Sequence, residues 1–237
     1  MQEGYQLETV TSLPVWQKIL LIFWEPKETF RSLKAQTHWL DVVIPLILVM
    51  AMVITATQLV NPITLKDVKA MITQSEKLSD EQKTQVLERV EKQQNSPWKY
   101  VGVVISLVIK VLVVAGVFNI VNNFIFAGEA RFIQALAVTA YVNLIDIVGW
   151  AVRLPLIFAR ETIRIYTGPG LFIEESKTFM FNFLAGLDVF VFWKVVLLAS
   201  GVSVFTRKSF KSVFSIFLIF WLIYVAGAAA LSGLAKI

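Results

Sequence analysis

The sequence predicts an all-α integral membrane protein, a bundle of about five transmembrane helices with an N-terminal interfacial amphipathic helix and a helical loop between spans one and two. Three observations predict it. Of the 237 residues, 57% are hydrophobic and only 16% charged, against about a quarter charged in soluble domains. Aromatics are plentiful, with 18 Phe and 7 Trp. Five apolar stretches are long enough for a ~30 Å hydrocarbon core, which takes roughly 20 helical residues. Backbone groups in lipid must be satisfied within the segment, so these spans are expected as helices.

The first element is amphipathic. From Pro14 to Leu33, Trp16, Ile19, Leu20, Phe23 and Trp24 recur at helical spacing, with Lys18, Lys27, Arg31 and Lys34 as a polar edge. Pro26 restarts a short helix containing Phe30 and Leu33. Pro14 to Trp24 is too short to span. It reads as an interfacial helix in the headgroup region, anchored by Trp16, Phe23, Trp24 and Phe30. The alternative is a helix packed on a soluble partner. Residues 1–40 thus form an N-terminal segment, and 41–237 a five-span membrane domain.

The spans follow in order: Val42 to Val60, Tyr100 to Phe126, Phe132 to Phe158, about Phe181 to Phe205, and Val213 to Leu234. Pro45 and Pro155 lie near span ends, where a missing backbone donor costs little. Gly201, Gly227 and the alanines after it permit close helix approach. The polar segment 61–98 reads as an extramembrane hairpin of two short helices, with Ser79 to Gln82 as a capping box opening the second. Its charges are mixed in sign. It reads as a solvated cap, with a partner-binding surface as the alternative.

The polar start, Met1 to Pro14, lacks the pattern of a cleavable signal peptide. With a cytoplasmic N-terminus, five spans place Ile237 outside. Counting Lys and Arg gives eight inside and ten outside, which slightly opposes this orientation. The basic interfacial helix and the tight Thr206 to Lys211 turn favour it.

Candidate chemistry is sparse. There is no cysteine, so thiol nucleophiles, disulfides and iron–sulfur clusters are excluded. His38 is the single histidine, which leaves a His-based metal site without a second imidazole. No cofactor and no metal site is expected. Asp146 and Asp188 raise an intramembrane aspartyl protease, but each has a cation in its own span, Arg153 and Lys194. A neighbouring cation favours the ionised carboxylate and discourages a shared proton. Thr167-Gly-Pro-Gly170 reads as a turn, not a phosphate cradle.

The charges within spans two to four are the most informative feature: Lys110, Asp146, Arg153, Asp188 and Lys194. A charge at mid-bilayer costs at least ~2.5–3.5 kcal/mol, so these must face the bundle interior or the membrane edges. One reading is structural ion pairing. The other is a polar pathway for an ion or solute, aided by Asn119, Asn122, Asn123 and Asn143. Antiparallel packing of spans three and four brings Asp146 level with Lys194 and Arg153 level with Asp188. The six-residue spacing in span four misaligns Lys194 in azimuth, so it must bend around its helix or yield to Lys110.

Several short patterns together resemble the Yip-type family, the Ypt-interacting-protein membrane domain, in its bacterial form. Pro26, Thr29 and Phe30 resemble its Pro-x-x-Thr-Phe motif before span one. Gly128 to Phe132, followed by Tyr141, is similar to its Gly-rich turn and aromatic-ended span. Asp188, Phe190, Trp193 and Gly201 resemble its Leu-Asp-x-Phe-x-x-Trp element. Two departures stand out: Ala130 replaces a frequent Gly, and no Pro follows Tyr141. The resemblance implies five spans, a cytoplasmic N-terminus and a non-enzymatic membrane organiser. The implied partners are the lipid bilayer and a membrane protein or a second copy of the chain, with no nucleic acid. The short N-terminus lacks a long Rab-facing domain, which favours a bacterial inner membrane over Golgi or ER. The competing expectation is a small transporter or channel using the charged middle spans.

Overall fold

The computed structural model describes residues 12–75, 78–94, 96–176 and 178–234. Among them are ten α-helices and no strand. The two ends of the chain, Met1 and Ile237, lie outside the described residues.

Helices α1 (Val15–Trp24) and α2 (Pro26–Ala35) form a bent pair at one end of the bundle. Pro26 sits at the first position of α2, where its missing N–H leaves no bond unmade. The long helix α3 (Leu40–Thr73) runs through Pro45 and Pro62 without a break. At 34 residues it is about 51 Å long, well beyond a ~30 Å core, so one end projects from the membrane. The expected hairpin therefore has a different first arm. Val68 to Ile72 do not start a new helix but continue span one. Helix α4 (Asp80–Gln94) folds back against this extension, with Lys69 paired to Glu91. The capping box is present: the Ser79 N–H donates to Gln82 Oε1 at 3.0 Å, and the Gln82 N–H to Ser79 Oγ at 3.3 Å.

The remaining spans depart from uniform rods. Helix α5 (Trp98–Ile120) ends in a π-helical turn, Val121–Ile125. Span three is two helices, α6 (Phe132–Val142) and α7 (Ile145–Arg160), joined by a turn at Asn143 and Leu144. Span four does not begin at Phe181. A short helix α8 (Phe179–Gly186) stops at Leu187, and α9 (Val189–Thr206) starts anew with Asp188 as its N-cap. A tight turn then leads to α10 (Phe210–Leu234). Five helical segments are long and apolar enough to cross a membrane: Leu40–Thr73, Trp98–Ile125, Phe132–Arg160, Val189–Thr206 and Phe210–Ser232.

One core joins these elements. Phe118, Val138, Tyr141, Leu197 and Val202 fill its centre, and Ile22, Phe30 and Leu33 of the N-terminal pair belong to the same cluster. Lipid tails are as apolar as these side chains, so close packing and polar pairs hold the spans together. At the α9 crossing, a Cβ on Gly201 would lie 3.1 Å from Val138 Cγ1 and 3.2 Å from the Phe118 ring. Glycine there lets α9 seat against α5 and α6. The turns place α1, α2 and the α5–α6 and α9–α10 connections on one side. The α3–α4 hairpin and the connection from Glu161 to Asp188 lie on the other, where Asp67 accepts from Thr162 Oγ1 at 2.8 Å and the Ile163 N–H at 2.9 Å.

Candidate functional site

The five charges of the middle spans assemble into two groups, one of three residues and one of two, between α7 and its neighbours α5 and α9. Asp146 lies in the first turn of α7, where the helix dipole favours a carboxylate. Lys194 of α9 donates to Asp146 Oδ1 at 2.7 Å, and Lys110 of α5 approaches Oδ2 at 3.6 Å. Lys194 thus overcomes its azimuth, and both lysines share one carboxylate. Their environments differ: the Lys194 side chain is 9% exposed and that of Lys110 is 52%. About two turns toward the other end of α7, Arg153 pairs with Asp188. The Arg153 guanidinium also lies over the Phe190 ring, 5.2 Å from its centre.

Asp188 occupies a different place from the one its sequence position suggests. It is not inside a continuous span but at a helix start, where its Oδ1 accepts from the N–H groups of Phe190 at 2.8 Å and Val191 at 3.0 Å. These are two of the donors a helix N-terminus leaves unpaired. Thr167 donates its hydroxyl to the other carboxylate oxygen, beside Arg153. Arg153 lies seven residues before the last residue of α7, so the break in span four sits about 10 Å of helix inside that end. Irregular backbone at such depth must be covered by protein. The Thr167–Gly170 segment covers it. The Val189 N–H donates to Thr167 O at 3.2 Å, and a Cβ on Gly168 would lie 1.8 Å from Leu187 O. The turn reading of these residues is incomplete, because Pro169–Phe172 form a 3₁₀ turn packed on α8.

A third polar group lies near the opposite side and joins residues that sequence spacing does not connect. Lys18 of α1 pairs with Asp41 in the first turn of α3. Both side chains are almost wholly buried, at 2% and 0% exposure. Asp41 also accepts from the Tyr141 hydroxyl at 3.2 Å and the His38 N–H at 2.9 Å. Thr29 donates to the Lys18 carbonyl at 3.2 Å. Lys18 is therefore no part of a solvated edge. Helix α1 buries Lys18 and Ile22 on one face and exposes Trp16, Leu20 and Trp24 on the other. The available signal was that Lys18 and Ile22 stand four apart, hence on one face. Of the expected interface anchors, Trp16 and Trp24 are exposed, Phe23 packs partly on the core, and Phe30 is fully buried. Phe30 is inside because α2 lies against α9 as well as α1.

The family-like residues occupy ends and crossings. Thr29 and Tyr141 flank the buried pair, Asp188 caps α9, Trp193 packs against the core, and Gly201 lies at the α9 crossing. Phe132 opens α6 and is 48% exposed. Gly128 follows Ala127, whose φ is 51°, and a Cβ on it would lie 2.8 Å from Asn122 O. Asn123 clamps the same turn, accepting from the Ala130 N–H and donating to its carbonyl, both at 2.9 Å. The asparagines at 119, 122 and 123 thus bind their own turn and each other. They do not line up with the charges of α7 and α9.

No cluster of three or more potential metal-ligating His, Cys, Asp or Glu occurs among the described residues. No curated protein and no solved structure matches the chain. The family model of the Yip1 domain matches residues 20–231, which covers the five spans almost in full and every residue of the three polar groups except Lys18. With five membrane-length helices and nearly its whole length matched, this multi-pass chain belongs to the Yip1 domain family.

Proposed function

We propose that this protein is a non-enzymatic scaffold or accessory subunit that docks another membrane protein, a second copy of itself included, through the outer surface of α5. One observation carries this reading. Lys110 is half exposed near the middle of a span, among the exposed Ile109, Leu112 and Val113. Two lysines share the single charge of Asp146, so the cluster holds one uncompensated cation facing the acyl chains. A charge there costs at least ~2.5–3.5 kcal/mol on insertion scales. A partner helix with a carboxylate or a polar strip at the same depth would relieve that cost. The likeness to the bacterial form of the family supports an inner membrane as the site of action, and the basic N-terminal helices with the tight Thr206 to Lys211 turn support a cytoplasmic N-terminus. Reporter fusions at Met1 and Ile237 should report opposite sides.

The test is a photo-crosslinking residue at Ile109 or Val113 in native membranes. A discrete adduct that weakens with Lys110→Met supports the docking surface. Absence of any adduct at both positions counts against it. A second reading, a small ion or solute pathway, draws on the interrupted span at Leu187 and Asp188, since broken helices line the sites of many transporters. Flux through liposomes holding the pure protein, abolished by Asp146→Asn, would favour that reading over the scaffold.

A further inference from the structure

The side of the bundle that carries α2 has a second, unrelated concentration of charge. Lys27, Arg31 and Lys34 fall on one face of α2, spaced four and three apart. Across an open cleft of about 670 Å³ they meet Arg207 and Lys208 of the α9–α10 turn. Arg31 is paired with Glu28. No carboxylate among the described residues pairs with Lys27, Lys34, Arg207 or Lys208. Lys34 donates to the last carbonyls of α9, Val204 O at 3.1 Å and Phe205 O at 2.8 Å. That fixes α2 against the helix end and holds the other cations around the opening. Burial, and to a lesser extent the positive charge of the adjacent Arg207, push the Lys34 ammonium below its ordinary pKa.

A second cleft, about 570 Å³, shares Lys27 and Arg31 with the first. It runs on along Trp24, Leu197 and Phe210 and is mostly apolar, although Glu25 and Glu28 also stand in its wall, Glu28 paired with Arg31. Trp24 at its rim is 80% exposed. A cationic chamber opening into an apolar groove at a membrane surface matches a molecule with an anionic head and a hydrocarbon tail. A free phosphate would satisfy the first cleft and leave the second empty.

We propose that the joined clefts hold one anionic phospholipid, its phosphate among Lys27, Lys34, Arg207 and Lys208 and an acyl chain along Trp24, Leu197 and Phe210. The site is separate from the α5 surface and does not depend on what docks there. It would make the seating of α2 on α9 sensitive to the lipid composition of that leaflet. Near an anionic surface each lysine or arginine strengthens binding about fivefold.

The experiment uses the full chain in detergent, with native mass spectrometry counting retained phosphatidylglycerol against phosphatidylcholine. Retention of phosphatidylglycerol is expected to dominate. The double change Lys27→Gln with Lys208→Gln should weaken it by a factor on the order of ten or more. Lys66→Gln with Lys69→Gln, on the other side of the bundle, should leave it unchanged. Equal retention of the two lipids, or equal loss in both doubles, overturns the site. Excess inorganic phosphate distinguishes the sources: full displacement of the lipid would make this a free-phosphate site and overturn the lipid assignment. Brominated phosphatidylglycerol gives a reading in the otherwise unaltered cationic cleft. It should quench the part of the emission that Trp24→Phe removes, and quenching unaffected by that change overturns the placement of the chain.

Discussion

Asp41 and Asp146 stand in the same local position, the first turn of a helix, and both are met by a lysine from another helix. Their surroundings separate them. Asp41 is enclosed by Lys18, the Tyr141 hydroxyl and the His38 N–H, with one cation for one anion. Asp146 is met by two cations, one buried and one half exposed. The first arrangement is closed and joins α1, α3 and α6. The second is open on its α5 side. A closed group can be explained by stability and register alone. An open, unbalanced one inside an apolar surface is the observation behind the proposed docking surface.

The largest expected effect lies in the closed group. Asp41→Leu leaves the Lys18 ammonium buried and unpaired, which costs ~3–5 kcal/mol. The thermal midpoint in detergent should fall steeply, and α1 should become open to protease. Adding Lys18→Met should recover most of the loss, because an apolar pair of similar volume replaces a buried ion pair with little penalty. A double no better than the single would mean that the two residues act independently.

Asp146→Asn should cost less, near ~3 kcal/mol or below, because Lys110 can still turn its ammonium away while Lys194 is stranded. Its thermal midpoint should lie between those of Asp41→Leu and the unaltered chain. If it falls further than Asp41→Leu, the contrast between the two groups is wrong.

Asp188 sharpens the comparison with a milder change. Asn is as good an N-cap as Asp, so Asp188→Asn should keep the start of α9 and lose only the ion pair with Arg153. Asp188→Leu loses both and should be worse by about 1 kcal/mol. Equal loss from the two changes would show that the cap contributes nothing.

The smallest effect belongs to Lys110→Leu. Asp146 keeps Lys194, and an exposed cation leaves the lipid-facing surface, so stability in detergent should move by no more than ~1 kcal/mol. The docking signal at Ile109 should nevertheless weaken. A large fall in thermal midpoint would make Lys110 structural and remove the argument for a partner.

Much of the architecture is legible in the residues. The apolar stretch from Val42 to Val60 contains no charge, and a bilayer admits few conformations for such a segment. The capping box at Ser79 is local, so its bonds follow from four adjacent residues. The levels of Asp146 with Lys194 and of Arg153 with Asp188 follow from antiparallel helices of fixed rise. The break at Leu187 is less legible. Phe181 to Phe205 reads as one apolar stretch despite Asp188 and Lys194, and hydropathy does not distinguish a helix from a helix interrupted by its own cap.

The sequence by itself determined the number of spans, their helical form and the heights of the charges along them, because length, hydropathy and helical rise are properties of one segment at a time. Only the tertiary structure decided which face of α1 turns inward, that Lys18 rather than a residue of the spans neutralises Asp41, and that Lys110 is left half uncovered. Helix α1 carries apolar side chains on both faces, Ile22 beside Lys18 on one and Trp16, Leu20 and Trp24 on the other, so hydropathy alone would turn the wrong face inward. The choice falls to the buried carboxylate of Asp41, which demands a cation from whichever helix can supply one.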